Sequence, residues 1–236
     1  MRAVEDESET SPGGSRIERH DEAKPPEPVP GSWAGQELIE AHVERHIGPI
    51  ATVFHELVSE YVHLDVLIVA PREERPWHTL VTCGMSSRPM EDGTRMELLI
   101  GLPPAWPLDD EALRDERNYW PVRALKELAR MPHVYGFSLG AGHTVPNGDP
   151  PEPYGPGTEL CGALIAWPAV TPDEPVESAE ETKIFAVYFL HEDEMRLKLD
   201  RGFEALVDAF DDAEMTELVV PDRPSSLRRR KRFGLF

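Results

Sequence analysis

Two apolar runs separated by a polar loop constrain the fold of this chain more than any other feature. The first run, His78–Cys83, is rich in β-branched and apolar residues and ends at Gly84. The second, Met96–Leu102, is again largely apolar, and two prolines follow it. The loop between them has about a dozen residues, longer than the usual hairpin connection, and loops of that length are often functional. We therefore predict two strands at the centre of a sheet, with a candidate working surface in their loop.

The remaining periodicity predicts both helices and strands. Strands are predicted over 61–70, 158–167 and 183–190, with a short final strand over 218–220, and residues 50–57 fit a strand somewhat better than a helical turn. Helices are predicted over 33–47, 109–131 and 191–210, with a break at 118–120 ahead of Pro121 and a stop at Pro132. Because helices and strands do not alternate regularly, the pattern indicates an α+β fold with one large sheet flanked by helices.

Composition divides the chain into three parts. Residues 1–31 are acidic and proline-rich with few large apolar side chains, which predicts a disordered tail. Residues 32–226 form the predicted domain, and residues 227–236 are a basic C-terminal tail. That tail has the charge to contact nucleic acid or an anionic membrane, but folding back onto the acidic body or remaining solvated is the favoured interpretation.

Charge and hydropathy narrow the classes of partner. The net charge is −20, and it is concentrated in the body of the chain, which would repel phosphate backbones. We therefore expect no nucleic-acid partner, and a basic protein partner would fit; solubility alone also explains the charge. No apolar run is long enough to span a bilayer, and the N-terminus lacks the features of a signal peptide. A cytoplasmic location is the resulting expectation.

The residues that could perform chemistry form no complete motif. Ser86 and Ser87 follow a predicted strand, and a small hydrolase using them with His143 is an alternative, although the GxSxG pattern is not matched. His42 and His46 have a helical spacing that can hold zinc, but no third ligand is identifiable. Two cysteines, Cys83 and Cys161, lack the CxxC spacing. We predict no metal, no cofactor and no enzymatic activity.

Two further features need a structural explanation. Gly140–His143 faintly matches a phosphate-binding loop, but no Gly-Lys-Ser/Thr ending or helix follows it, so tight packing of the backbone is the better account. Asp65 interrupts an apolar strand, and if it is buried it must have a partner, because an unpaired buried charge is costly.

Several segments in order resemble the suppressor-of-fused domain in its bacterial form. These are HTLVTCGMSSRPM, ELLIGLPPAWP, YWPVRALKELARMP, GAGHTVPN, IFAVYFLHEDEMRLKLDRGFEAL and PDRPSS, and the resemblance extends over residues 33–226. It implies a single mixed, largely antiparallel bent sheet flanked by helices, with no established catalytic constellation. The animal member clamps a short strand of a Gli transcription factor between two halves, and this chain resembles the N-terminal half. Where the animal protein carries a peptide-binding tyrosine, this chain has Cys83.

The resemblance leads to three functional hypotheses. The first is a non-enzymatic protein-binding module, in particular an immunity protein that neutralises a toxin, since bacterial relatives are often proposed to have that role. The second is the hydrolase above, and the third is a regulator that binds a peptide by strand addition. The predicted partner-binding residues are Cys83, Gly84, Met85, Ser86, Gly142 and His143.

Overall fold

A computed structural model describes residues 9–20, 22–26, 29, 33, 35–56, 60–176 and 181–228. Nine strands are present in these residues: β1 Glu9–Thr10, β2 Arg16–Ile17, β3 Ile50–Phe54, β4 Asp65–Val69, β5 His78–Cys83, β6 Arg95–Leu102, β7 Thr144–Pro146, β8 Gly162–Ala166 and β9 Thr182–Leu190. β1 and β2 form a small antiparallel pair. The other seven form one sheet in the order β3-β4-β5-β6-β9-β8-β7, in which only the β6–β9 pair is parallel. The prediction of an α+β fold with a mixed, largely antiparallel sheet is therefore confirmed.

Four α-helices accompany the sheet in the described part of the chain: α1 Gln36–His42, α2 Glu116–Tyr135, α3 Glu192–Arg201 and α4 Phe203–Asp212. α1 continues as a π-helical turn, Val43–Ile47, and 3-10 turns occupy Met85–Ser87 and Ala112–Arg114. The hairpin predicted at the sheet centre is present, because β5 and β6 pair directly, with Leu80 opposite Ile100.

The core lies on both faces of the sheet, which explains why the central strands have continuous apolar sequences. One face packs against α2, whose Trp120 and Leu125 are fully buried there. The other face packs against α1, α3 and α4, with Val43, Met195 and Leu206 in its cluster. Strands covered on both sides lose the alternation of polar and apolar residues that marks a half-exposed sheet.

Three predicted element boundaries were wrong. α2 is continuous through Pro121 and Pro132, and it ends at Gly136 with φ +70°. The burial of Trp120 outweighs the loss of one helical hydrogen bond at Pro121. The helix predicted over 191–210 is two helices, because Gly202 adopts φ +92° beside Gly13. Residues 218–220 form only an isolated bridge from Leu218 to Gly101.

The predicted boundaries of the tail, the domain and the basic end stay predictions. Within the tail predicted over 1–31, the structure describes residues 9–20 and 22–26 in some detail. They contain β1 and β2, and they contact the folded domain. The contacts are made at a few points by backbone hydrogen bonds, which composition does not reveal. Gly13 N donates to Leu199 O, and Lys24 N donates to Val134 O. Residues 1–8 and most of the basic tail, 229–236, lie outside the described residues.

A buried ion pair joins the C-terminal segment to the domain. Glu194, at the start of α3, is fully buried and accepts two hydrogen bonds from the Arg223 guanidinium, at 2.7 and 2.5 Å. The backbone N–H groups of His191 and Ser226 also donate to it. Burial opposes ionisation, but Arg223 and these donors outweigh it and lower the pKa of Glu194.

Candidate functional site

The loop predicted as the working surface begins inside the protein. Cys83, Met85 and Ser86 are each no more than 2% exposed, and Gly84 is buried between them. Gly84 has φ +136°, and a Cβ atom there would lie 1.8 Å from the backbone oxygen of His63. Only glycine fits this close approach. The four residues therefore shape the loop from within, and their part in partner binding stays a prediction.

A buried glutamate holds this loop. Glu97 on β6 is 0% exposed, and its carboxylate accepts hydrogen bonds from the N–H groups of Gly84, Met85 and Ser86 and from the hydroxyls of Ser86 and Thr82, at 2.6–3.3 Å. Burial raises the pKa of Glu97, and the hydrogen bonds oppose that rise. The sequence signal was available, because Glu97 is the single acid in the apolar run 96–102, but its partners could not be read from the sequence.

The Ser86–His143 pair of the hydrolase alternative is not formed. The Ser86 hydroxyl donates its proton to Glu97 at 2.6 Å, so it donates none to His143. His143 is exposed and hydrogen-bonds the backbone of Ser138 instead. The histidine that does contact the loop is His133, whose Nε2 lies 3.0 Å from Met85 O. Ser86 therefore serves the fold through Glu97, and the hydrolase alternative finds no support in its hydrogen bonds.

Gly142 and His143 lie where a partner could reach them. They extend the β7–β8 ladder, since Gly142 N donates to Ile165 O and Ile165 N donates to His143 O. The outer end of the long loop comes to the same place, because Asp92 N donates to the Ser138 hydroxyl and Asp92 interacts electrostatically with His143. The expected proximity of the loop and His143 thus holds at Asp92 rather than at Ser86.

The N-terminal segment, described over residues 9–20 and 22–26, reaches this same surface with Glu18, His20 and Lys24. His20 stacks on Phe137 with ring centroids 4.4 Å apart, and Glu18 interacts electrostatically with His143. Lys24 N donates to Val134 O at 2.7 Å, which fixes the end of the segment on α2. We name Val134, Phe137, Ser138 and His143 the 134–143 surface. It already holds a length of polypeptide through ring stacking, charge and a backbone hydrogen bond.

The other polar candidates have structural explanations. Asp65 is buried, and its carboxylate faces His55 and His63 at 3.0 and 3.2 Å and accepts the Glu56 N–H. The rings of His42 and His46 lie 4.6 Å apart. Over the described residues, no group of three or more His, Cys, Asp or Glu side chains is arranged to hold a metal ion.

Fold and site together define an α+β domain in which the polar groups at the start of the central loop are hydrogen-bonded within the protein. The comparisons with known proteins agree with that class. The family model described as "Suppressor of fused protein (SUFU)" matches residues 60–224, so the chain belongs to the suppressor of fused family. The comparison with curated proteins finds no match.

Two solved structures support the same fold. A SUFU homolog from Neisseria gonorrhoeae FA 1090 has a TM-score of 0.61 and 19% identity, and the match covers 83% of this chain and 98% of that chain. A second structure, described as the Sufu–Fu complex, has a TM-score of 0.59 and 15% identity, with 86% of this chain and 93% of that chain covered. At these identities the similarity establishes the fold alone. No described helix combines the length and apolar character needed to cross a membrane.

Proposed function

We propose that this chain is a non-enzymatic protein-binding module that holds an extended segment of a partner protein on the 134–143 surface. The observation that carries the proposal is the position of the chain's own Glu18, His20 and Lys24, which lie on that surface against His143, Phe137 and Val134 respectively. A surface that accommodates one extended segment has the hydrogen-bonding and stacking groups to accommodate another. A related protein of this fold was solved in the Sufu–Fu complex, which supports a binding role.

The partner in this proposal is a basic protein. In its more specific form, the proposal is that the chain is an immunity protein and that the partner is a toxin. The net charge of −20 favours association with a cationic partner and would accelerate the encounter. The location in the proposal is the cytoplasm, where free thiols persist; Cys83 and Cys161 are both buried and form no disulfide.

Affinity capture with the full chain tests this function. The double variant His20→Ala, Lys24→Pro removes the ring stack and the N–H that hold the N-terminal segment, so we expect it to capture several-fold more partner than the wild type. Release of a competing internal segment raises the competent fraction, and apparent affinity rises with it. Partners come from native lysate and from co-expressed neighbouring reading frames.

Glu22→Ala is the matched control, because Glu22 is an exposed residue of the same segment. His143→Ala should reduce capture in the background of the double variant. Equal capture by the wild type and the double variant, or no partner with any of them, would contradict the proposal. For the immunity form, co-expression should restore growth of cells that produce the captured toxin.

Strand addition at β3 is a second candidate, because β3 is an edge strand with an apolar sequence, IATVF, and no charged residue. Ala51 and Thr52 are exposed at this edge. Uncharged edges invite pairing with another strand. Thr52→Lys should abolish capture under this mechanism and leave it unchanged under binding at the 134–143 surface.

A further inference from the structure

Several large apolar side chains are exposed in the described part of the chain. Three of them lie on two chain segments that are connected by hydrogen bonds to the buried Glu217. Trp167, Val170 and Val220 are 51%, 43% and 38% exposed. We name them the Trp167 patch. The Trp167 ring packs edge-on against Phe185 of β9 at 5.6 Å, and Tyr188 OH donates to Trp167 O. The indole is therefore supported on one side and open to solvent on the other.

Glu217 joins the two segments. It is 1% exposed, and its carboxylate accepts hydrogen bonds from the N–H groups of Ala169, Val170 and Thr171 and from the Thr171 hydroxyl, at 2.7–3.4 Å. Burying a carboxylate opposes folding unless its hydrogen bonds are made. Here those bonds fix a loop whose apolar side chains point away from the core, so the loop is held in shape while its side chains stay exposed.

The two segments that carry the patch are acidic, and the cations beside them are Arg75, which interacts with Glu217, and Arg223, which is paired with Glu194. Residues 167–176 and 211–222 contain seven acids and no lysine, arginine or histidine. Six of these acids are exposed: Asp173, Glu174, Asp211, Asp212, Glu214 and Asp222. An open tryptophan face with acids around it suits a guanidinium or ammonium group, which gains cation–π attraction and charge pairing together.

We propose that the Trp167 patch is a docking site for a cationic segment of a partner protein. Arginine or lysine side chains of that segment stack on Trp167 and pair with the surrounding acids, and its aliphatic side chains cover Val170 and Val220. Exposed tryptophan and arginine are the residue types that dominate binding energy at interfaces. This inference does not rest on the 134–143 surface, because none of its residues is needed here.

A short synthetic peptide of alternating arginine and leucine is the probe, titrated into the full chain. The indole N–H signal of Trp167 in a proton–nitrogen NMR spectrum, identified by its loss in Trp167→Phe, should shift on binding. Trp167→Ser should weaken binding about tenfold, as expected for a central aromatic contact. Trp167→Phe should retain most of the affinity. Asp173→Lys combined with Glu174→Lys should also weaken binding, and the effect should shrink in high salt.

Leu38→Ser is the matched control, because Leu38 is 43% exposed on α1 and lies outside the patch. A peptide of alternating arginine and serine separates the apolar contribution from charge. The proposal is overturned if both peptides bind equally and Trp167→Ser changes neither, because only diffuse attraction to an acidic protein would remain. It is also overturned if Leu38→Ser weakens binding as much as Trp167→Ser. Val170→Ser gives an independent test at a second position.

Discussion

Two loops of this protein, residues 84–86 and residues 169–171, are each held by a buried glutamate, but one faces the core and the other faces solvent. Glu97 accepts the N–H groups of residues 84–86 and a hydroxyl of Ser86, and Glu217 accepts the N–H groups of residues 169–171 and a hydroxyl of Thr171. The first loop is turned inward, with Met85 and Ser86 buried. The second presents Trp167 and Val170 to solvent. The comparison shows that a buried carboxylate can stabilise a core or position a surface, and only the orientation of the loop decides which.

The largest expected effect is at the inward loop. Glu97→Ala leaves buried N–H groups without an acceptor, and we expect a loss of about 4 kcal/mol in the free energy of unfolding. Urea denaturation followed by circular dichroism measures it. The exposed Glu174→Ala is the control and should change stability by about 0.5 kcal/mol or less. A loss at Glu97 no larger than at Glu174 would contradict the role assigned to the carboxylate.

Glu217→Ala should cost less, about 2–3 kcal/mol, because the N–H groups of Ala169 and Val170 are nearer to water once the carboxylate is gone. What should distinguish Glu217→Ala from Glu97→Ala is its effect on the Trp167 patch. We expect the Trp167 indole signal to shift and the affinity for the arginine–leucine peptide to fall, while Glu97→Ala at matched stability changes neither. If both variants alter the indole signal alike, the proposed division between the loops fails.

The two hydroxyl donors give a finer comparison. Ser86→Ala and Thr171→Val each remove one hydrogen bond to a buried carboxylate, which corresponds to about 1.5–2 kcal/mol. We expect both to lower the urea midpoint by similar amounts. Only Thr171→Val should affect binding at the Trp167 patch. A large destabilisation by one and none by the other would show that the two loops are not held by equivalent bonds.

The smallest expected effect is a difference in the pH dependence of stability. Here the two buried carboxylates to compare are Glu97 and Glu194. The pKa of Glu194 is lowered, so its stabilisation is present above the unfolded-state pKa and is lost as the pH falls through the folded-state value. The pKa of Glu97 is raised, so the folded state holds its proton longer, and stability from this group declines as the pH rises past the unfolded-state pKa.

Unfolding free energies measured from pH 3 to 7 should show these opposite signs. Relative to the wild type, Glu194→Gln should flatten the loss of stability below about pH 4.5, and Glu97→Gln should flatten a loss above that pH. The same change of slope in both variants would contradict the assignment of the opposite pKa shifts of Glu97 and Glu194 to the presence of Arg223 beside Glu194 alone.

The candidate site was only partly accessible from the sequence. The sequence indicates Cys83–Ser86 and Gly142–His143, and the structure separates them into a buried group and a pair in which Gly142 is half-buried and His143 is exposed. The missed contributions come from residues far along the chain, such as His20 on Phe137 and Asp92 at Ser138. No periodicity encodes such pairs, because they depend on how distant elements pack.

The sequence by itself determined the α+β class, the central hairpin of β5 and β6, the acidic character of the body and the absence of a complete catalytic motif. These follow from local pattern and composition, since apolar runs must be buried and charge is additive along the chain. Only the tertiary structure decided which way each loop faces, where Glu97 and Glu217 find their donors, and that Gly13 and Lys24 contact the domain. Those outcomes depend on contacts between residues from 11 to more than a hundred positions apart, which a single sequence does not specify.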